Sequence, residues 1–239
     1  MALPRLNESS QYVLNIPSTN EELKYRPFLI KEQKLLLIAY ESQDQKQIIN
    51  AILNCVANCT DNAYDIRKLS TFDVDYIFTK IRSKSVGEIT NVSIKCKGCE
   101  HENEIKINLD DIKLDGALKP NNIRITEDIS LKMKYPSYYD FTTNEKIMVN
   151  EGQTTTEILF EMLISCIDSV MTEDEHISLK DESKEEIEEF INSLTAEQFS
   201  TVRTFVDKIP KMTLDIEYTC ESCNKTHKHT LEGLRDFFS

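Results

Sequence analysis

Between Phe28 and Tyr40 the apolar positions Phe28, Leu29, Leu35, Leu36, Ala39 and Tyr40 recur at the three- and four-residue intervals of a helix. A second helix is predicted at about 44–59, with Ile48, Ile52, Cys55, Val56 and Cys59 on one face. A third opens at Ser70, an N-cap residue matched three positions on by Asp73, a capping box with Asp in place of the preferred Glu. It continues through Tyr76, Ile77, Phe78 and Ile81 and is expected to stop at Gly87 as a left-handed terminator. Ahead of these helices the chain reads as extended. Pro17-Ser-Thr-Asn20 is a turn cluster, and Pro27 holds Arg26 out of the helical region.

The period then changes from helical to alternating. Residues 88–95 and 102–109 read as half-buried strands, and 123–126 and 129–134 as further strands rich in β-branched residues. Residues 140–210 are expected to return to helix, with capping-box spacing at Thr154/Glu157, Ser183/Glu186 and Thr195/Gln198, and with Pro210 closing the stretch. Thr213–Thr219 and Thr226–Leu231 alternate again, before a short helix ending in Phe237-Phe238. The pattern predicts an α+β protein, mainly helical, with a small antiparallel zinc-ribbon-like β module. Three regions follow: a helical 1–90, a β module built from 91–139 together with 211–239, and an inserted helical 140–210.

Composition narrows the function classes. The 239 residues carry 41 acidic and 28 basic side chains, a net charge of −13, so a broad nucleic-acid or anionic-membrane surface is disfavoured by repulsion. The longest purely apolar run, Leu35–Ala39, is far short of the roughly 20 residues that span a bilayer. The opening Met1-Ala-Leu-Pro-Arg5 has no features of a secretion signal, which predicts an intracellular protein. There is no glycine-rich phosphate loop, G-x-S-x-G elbow or H-E-x-x-H helix, and Asp181–Glu189 reads as a solvated acidic helix face. No catalytic residue and no small-molecule substrate is nominated. His176, in a polar loop at Thr172–Ser178, has no evident catalytic partner.

The cysteines carry the clearest chemistry. Cys96-Lys-Gly-Cys99 and Cys220-Glu-Ser-Cys223 each sit between two strand-like runs, with Gly98 or Ser222 just ahead of the second cysteine. A tight turn at a hairpin tip points both sulfurs to one side, and two such turns facing each other supply four thiolates for one structural Zn²⁺. The competing reading is two separate pairs of buried or redox thiols. A redox C-x-x-C opens a helix, and neither pair does. Because 120 residues separate Cys99 from Cys220, a shared site requires the C-terminal hairpin to return to the first. His101, His227 and His229 lie near the pairs as alternative ligands or as neighbours of the sulfurs. Cys55, Cys59 and Cys166 continue apolar helix faces and are expected to pack as small hydrophobes.

The segments Tyr25-Arg26-Pro27-Phe28-Leu29-Ile30-Lys31-Glu32-Gln33-Lys34 and Phe72-Asp73-Val74-Asp75-Tyr76-Ile77-Phe78, followed by Arg82-Ser83-Lys84-Ser85-Val86-Gly87-Glu88, resemble the baseplate hub proteins of T-even-type and related marine tailed bacteriophages. The resemblance covers about residues 10–90, and the four cysteines are not part of it. That family includes hub subunits and hub assembly chaperones. It implies a non-enzymatic tail protein whose partners are other hub proteins. Its location is then the host cytoplasm during phage assembly, or the virion tail baseplate. Tyr25, Arg26 and Phe28 are of the types enriched at interface hot spots, and with Arg82 and Lys84 they are the candidate partner-binding residues. Local roles compete: Phe28 stapling the first helix, Arg26 pairing with a nearby acid, Arg82 and Lys84 complementing a helix dipole. The alternative function is a zinc-ribbon nucleic-acid regulator, against which the absence of a basic stripe counts.

Overall fold

The computed structural model describes residues 10–118, 121–143 and 155–238. The chain divides into two compact units, one of residues 1–115 with 211–239, the other of residues 116–210.

The first unit opens with a hairpin, β1 (Tyr12–Asn15) and β2 (Glu22–Tyr25), paired antiparallel. Its loop contains the expected turn cluster, with Asn20 left-handed at φ 59°. Three helices follow: α1 (Ile30–Ser42), α2 (Gln45–Cys59) and α3 (Thr71–Val86). The Asp44 carboxylate caps α2 by accepting from the Lys46 and Gln47 N–H groups. The predicted capping box of α3 forms in both directions: the Ser70 hydroxyl accepts from the Asp73 N–H, and the Asp73 carboxylate accepts from the Ser70 N–H. The other Asp73 oxygen accepts from the Ser18 N–H at 2.9 Å, so one fully buried carboxylate ties the β1–β2 turn to the start of α3. Gly87 does end α3, though not in the left-handed helical region. Its φ of 106° and ψ of 162° fall where only glycine is at ease. The chain continues into the hairpin β3 (Ile89–Lys95) and β4 (Glu102–Asn108) and a short β5 (Lys113–Asp115).

The second unit is a four-stranded antiparallel sheet with helices. Its elements are β6 (Asn122–Arg124), β7 (Ser130–Met133), α4 (Tyr138–Thr143), α5 (Thr155–Ser165), β8 (Ile167–Met171), β9 (His176–Ser178), α6 (Lys184–Ser193) and α7 (Ala196–Asp207), with sheet order β6-β7-β8-β9. The expectation of helices alone over 140–210, broken by a polar loop at Thr172–Ser178, is therefore corrected: the strands β8 and β9 lie within the stretch. Ile167, Ser169 and Val170 of β8 are all buried, so the strand shows no clean alternation and its apolar residues read as a continuation of α5. Cys166 is buried as expected, but one residue past the end of α5. His176 is part of β9, where its Nε2 lies 2.8 Å from the Ser169 hydroxyl across the pair β8–β9. The capping boxes of α6 and α7 form as predicted. Thr154, the proposed cap of α5, lies outside the described residues.

The chain returns to the first unit with β10 (Lys211–Thr219), β11 (Thr226–Glu232) and α8 (Gly233–Phe238). Met212 of β10 is the register partner of Leu114 in β5, so the strand that leaves the unit pairs with the strand that re-enters it. That pairing makes the long insertion topologically cheap. The hairpins β3–β4 and β10–β11 stay in separate sheets. They share one core of Val92, Ile94, Ile107, Leu109, Met212, Tyr218, Leu231 and Phe237. Among the described residues no helix is long and apolar enough to cross a membrane.

Candidate metal centre

Two antiparallel hairpins with a C-x-x-C at each tip place their cysteines by the same backbone device. In the first, the Cys96 N–H donates to the His101 carbonyl at 2.8 Å and the Glu100 N–H to the Cys96 carbonyl at 2.9 Å. In the second, the Cys220 N–H donates to Lys225 and the Asn224 N–H to the Cys220 carbonyl, both at 2.9 Å. The strained position in each turn is not Gly98 or Ser222. It is the residue after the second cysteine: Glu100 at φ 59° and Asn224 at φ 56°.

The four sulfurs of Cys96, Cys99, Cys220 and Cys223 lie within 4.8 Å of one another. Two contacts run between the hairpins, Cys96 to Cys223 at 3.7 Å and Cys99 to Cys220 at 3.6 Å. A disulfide requires about 2.05 Å, so these are not bonded pairs. Four sulfurs at about 2.3 Å from a tetrahedral centre stand about 3.8 Å apart, which the cross-hairpin distances match. The four side chains can thus hold a metal ion.

The surroundings favour negative sulfur unevenly. The Cys223 N–H holds the Cys220 thiol down to about 6, against the burial that would raise it. Cys223 is pushed up to about 11. A backbone N–H from Lys225 favours its thiolate, but burial and the neighbouring sulfurs of Cys99, Cys220 and Cys96 outweigh it. One thiolate forms readily and the next is resisted by the charge already there, a resistance that a bound dication removes.

Asn103 joins the two tips and was not singled out in the sequence. It is buried, its Nδ2 donates to the Ile94 and His101 carbonyls, and its Oδ1 accepts from the Glu221 N–H at 3.0 Å. The signal was available: Asn103 shares the inward face of β4 with Ile105 and Ile107, a polar residue at an apolar position. Of the three histidines, His227 contacts the cluster, its Nε2 lying 3.2 Å from the Cys96 sulfur while its ring packs against Tyr218. Cys55 and Cys59 stay away from this site, buried on α2.

Comparison with known proteins places the chain in a family. The sequence profile of a family described as T4 bacteriophage base plate protein matches residues 9–239. The chain belongs to that family. A relative, the baseplate hub assembly protein gp26 of Enterobacteria phage T4, is 24% identical over 230 residues, which cover 95% of this chain and 98% of the relative. No solved structure matches.

The base plate family resemblance in the sequence rested on residues 10–90, whose candidate contact residues the structure now locates. Tyr25 is buried and stacks on Tyr12 with ring centroids 5.6 Å apart. Arg26 reaches Glu32 at 3.1 Å and donates to the Pro27 and Asn58 carbonyls, locking the start of α1 to the end of α2. Burial opposes ionisation of Glu32, but the Leu29 N–H and the Arg26 guanidinium prevail and hold its carboxyl below the usual range. Lys84 pairs with Glu88 at 2.7 Å. Phe28 and Arg82 meet in one groove with Leu36, Leu37, Tyr40, Phe78, Val86 and Phe238.

Proposed function

We propose that this protein acts, without enzymatic chemistry, in assembling the central hub of a contractile-tail baseplate. The observation that carries the reading is the alignment with a baseplate hub assembly protein over nearly the full length of both chains. The family match over 9–239 supports it. The four-cysteine centre fits it as a structural element, because four thiolates close a tetrahedral site and leave no position for water or substrate. The ion is zinc, one per chain. Cys96, Cys99, Cys220 and Cys223 would hold it, and its role is to pin the β10–β11 hairpin to β3–β4 as a two-knuckle ribbon. His227 orients the Cys96 sulfur rather than replacing it. Partners are other baseplate hub proteins.

A phage lacking this gene tests the function. Infected cells should accumulate tail precursors without completed baseplates, seen by gradient sedimentation and electron microscopy, and wild-type protein from a plasmid should restore them. Normal baseplate yield in its absence would end the proposal. Elemental analysis of protein purified without chelator tests the metal. One zinc per chain is expected, and its absence with all seven thiols free would remove it.

A further inference from the structure

The helix α1 is apolar on more than one side. Leu36 and Ala39 are buried, while Leu37 and Ile38 next to them are 56% and 52% exposed. Between α1 and α3 this leaves a groove of about 330 Å³ lined by Phe28, Leu36, Leu37, Tyr40, Phe78 and Val86, with Phe238 of α8 and Arg82 of α3. Arg82 is the anomaly. Among the described residues its Nη1 is shielded from water with no hydrogen-bond partner, and its Nη2 reaches only the Thr90 hydroxyl, at 3.4 Å. The guanidinium stacks on the Phe238 ring, 4.6 Å from its centroid, and no acid among the described residues forms an ion pair with it. Burial depresses its basicity, and Tyr40 is the neighbour that acts on its charge. A desolvated cation without a counterion is costly, and such groups are ordinarily paired. In this unit the contrast is Arg26, whose Nη1 donates to the Pro27 carbonyl and whose Nη2 donates to Glu32 and to the Asn58 carbonyl.

We propose that the α1–α3 groove receives an amphipathic helix from a partner hub protein, whose apolar side chains enter the groove and whose carboxylate pairs with Arg82. Resting on the hub-assembly reading, this names the surface and the chemistry of the partner. The charge argument selects the occupant. Among the described residues the lining contains one charged residue, a cation, so a second copy docking groove to groove brings no acid to meet it. Among the described residues the groove is lined by side chains of α1, α3 and α8 with Phe28, and by no strand residue, which favours side-chain docking by a helix over strand addition. The overall charge of −13 does not forbid an acidic helix, because repulsion from surface charges is screened beyond about 8 Å at physiological salt. A carboxylate against a half-desolvated guanidinium is the pairing Arg is built for.

The test uses the full chain and overlapping synthetic peptides covering the phage's own tail proteins, with binding read by fluorescence anisotropy. The expected binder has apolar residues at helical spacing and one essential acid. Replacing that acid by its amide should weaken binding at least tenfold, Arg82→Gln should weaken it equally, and both together no further. Leu37→Lys, an exposed change that spares the fold, should also abolish binding, and the melting temperature of Arg82→Gln should be unchanged or higher. Failure of any tail peptide to bind, or binding indifferent to Arg82, overturns the inference. So does a dimer in sedimentation that Leu37→Lys dissolves, because the occupant is then a second copy. The two readings separate in infection. Normal baseplates from phage carrying Arg82→Gln and Leu37→Lys, with defective ones from phage lacking the gene, refute the groove alone. Normal baseplates without the gene refute the hub-assembly reading.

Discussion

Replacing Cys220 by Ser removes one sulfur from the four-cysteine centre while changing side-chain volume little. If the centre holds zinc, the loss is that of a long-range clip. The link from Cys99 to Cys220 closes a loop of 120 residues. For a loop of this length the chain-entropy relation gives a ceiling of about 5 kcal/mol relative to the open unfolded chain. Residual metal binding by the unfolded chain lowers this, so the expected cost is about 3–5 kcal/mol. The control is Cys55→Ala, at an equally buried position on α2 outside the cluster. It deletes one sulfur from an apolar face and should cost only about 1 kcal/mol. Urea unfolding of the zinc-loaded proteins reads the difference. Hydrogen exchange should show residues 211–239 loosening first in Cys220→Ser, since β10 and β11 meet the rest of the unit through the centre, the shared core and the short β5. Equal stabilities for the two variants, or a wild-type protein indifferent to chelator, would refute the reasoning.

Phe237, fully buried in the core shared by the two hairpins, should cost about 3–5 kcal/mol when truncated to Ala, measured by urea unfolding. Glu32→Gln should destabilise by about 1–3 kcal/mol at neutral pH by weakening the lock with Arg26. Because the native pKa of Glu32 lies below its ordinary 4.5, the wild-type advantage is complete above that value and shrinks as pH falls through the native one, so unfolding curves of the two proteins should converge in acid. Asp73→Ala should cost more than Ser70→Ala, for which about 1 kcal/mol is expected, because Asp73 also holds the Ser18 N–H; thermal melts of the two variants give the order.

Elements with local chemistry were readable in the sequence. The helices α3, α6 and α7 announce their starts through Ser70, Ser183 and Thr195, since a cap is a contact within a few residues. The knuckles were readable because C-x-x-C between alternating strands is itself a local pattern, although it did not point to Glu100 and Asn224 as the left-handed positions of the turns. What escaped depends on distant partners. Leu35–Ala39 is apolar all round, so periodicity could not choose which side of α1 packs; Leu35, placed on the inner stripe, is 55% exposed. The three-residue β5 exists because β10 pairs with it, and β8 because β7 and β9 flank it. The unpaired head of Arg82 is equally a tertiary fact, because it depends on which acids the fold leaves out of reach.

The central claim, a non-enzymatic part in building the baseplate hub, is tested most directly by complementation in vitro. An extract of cells infected with phage lacking the gene is supplied with the purified zinc-loaded protein and nothing else, and completed baseplates are counted by electron microscopy. The account predicts that baseplates appear in proportion to the protein added, and that protein carrying Cys220→Ser restores fewer. An extract that completes baseplates equally well without the protein, or never completes them with it, would contradict the account.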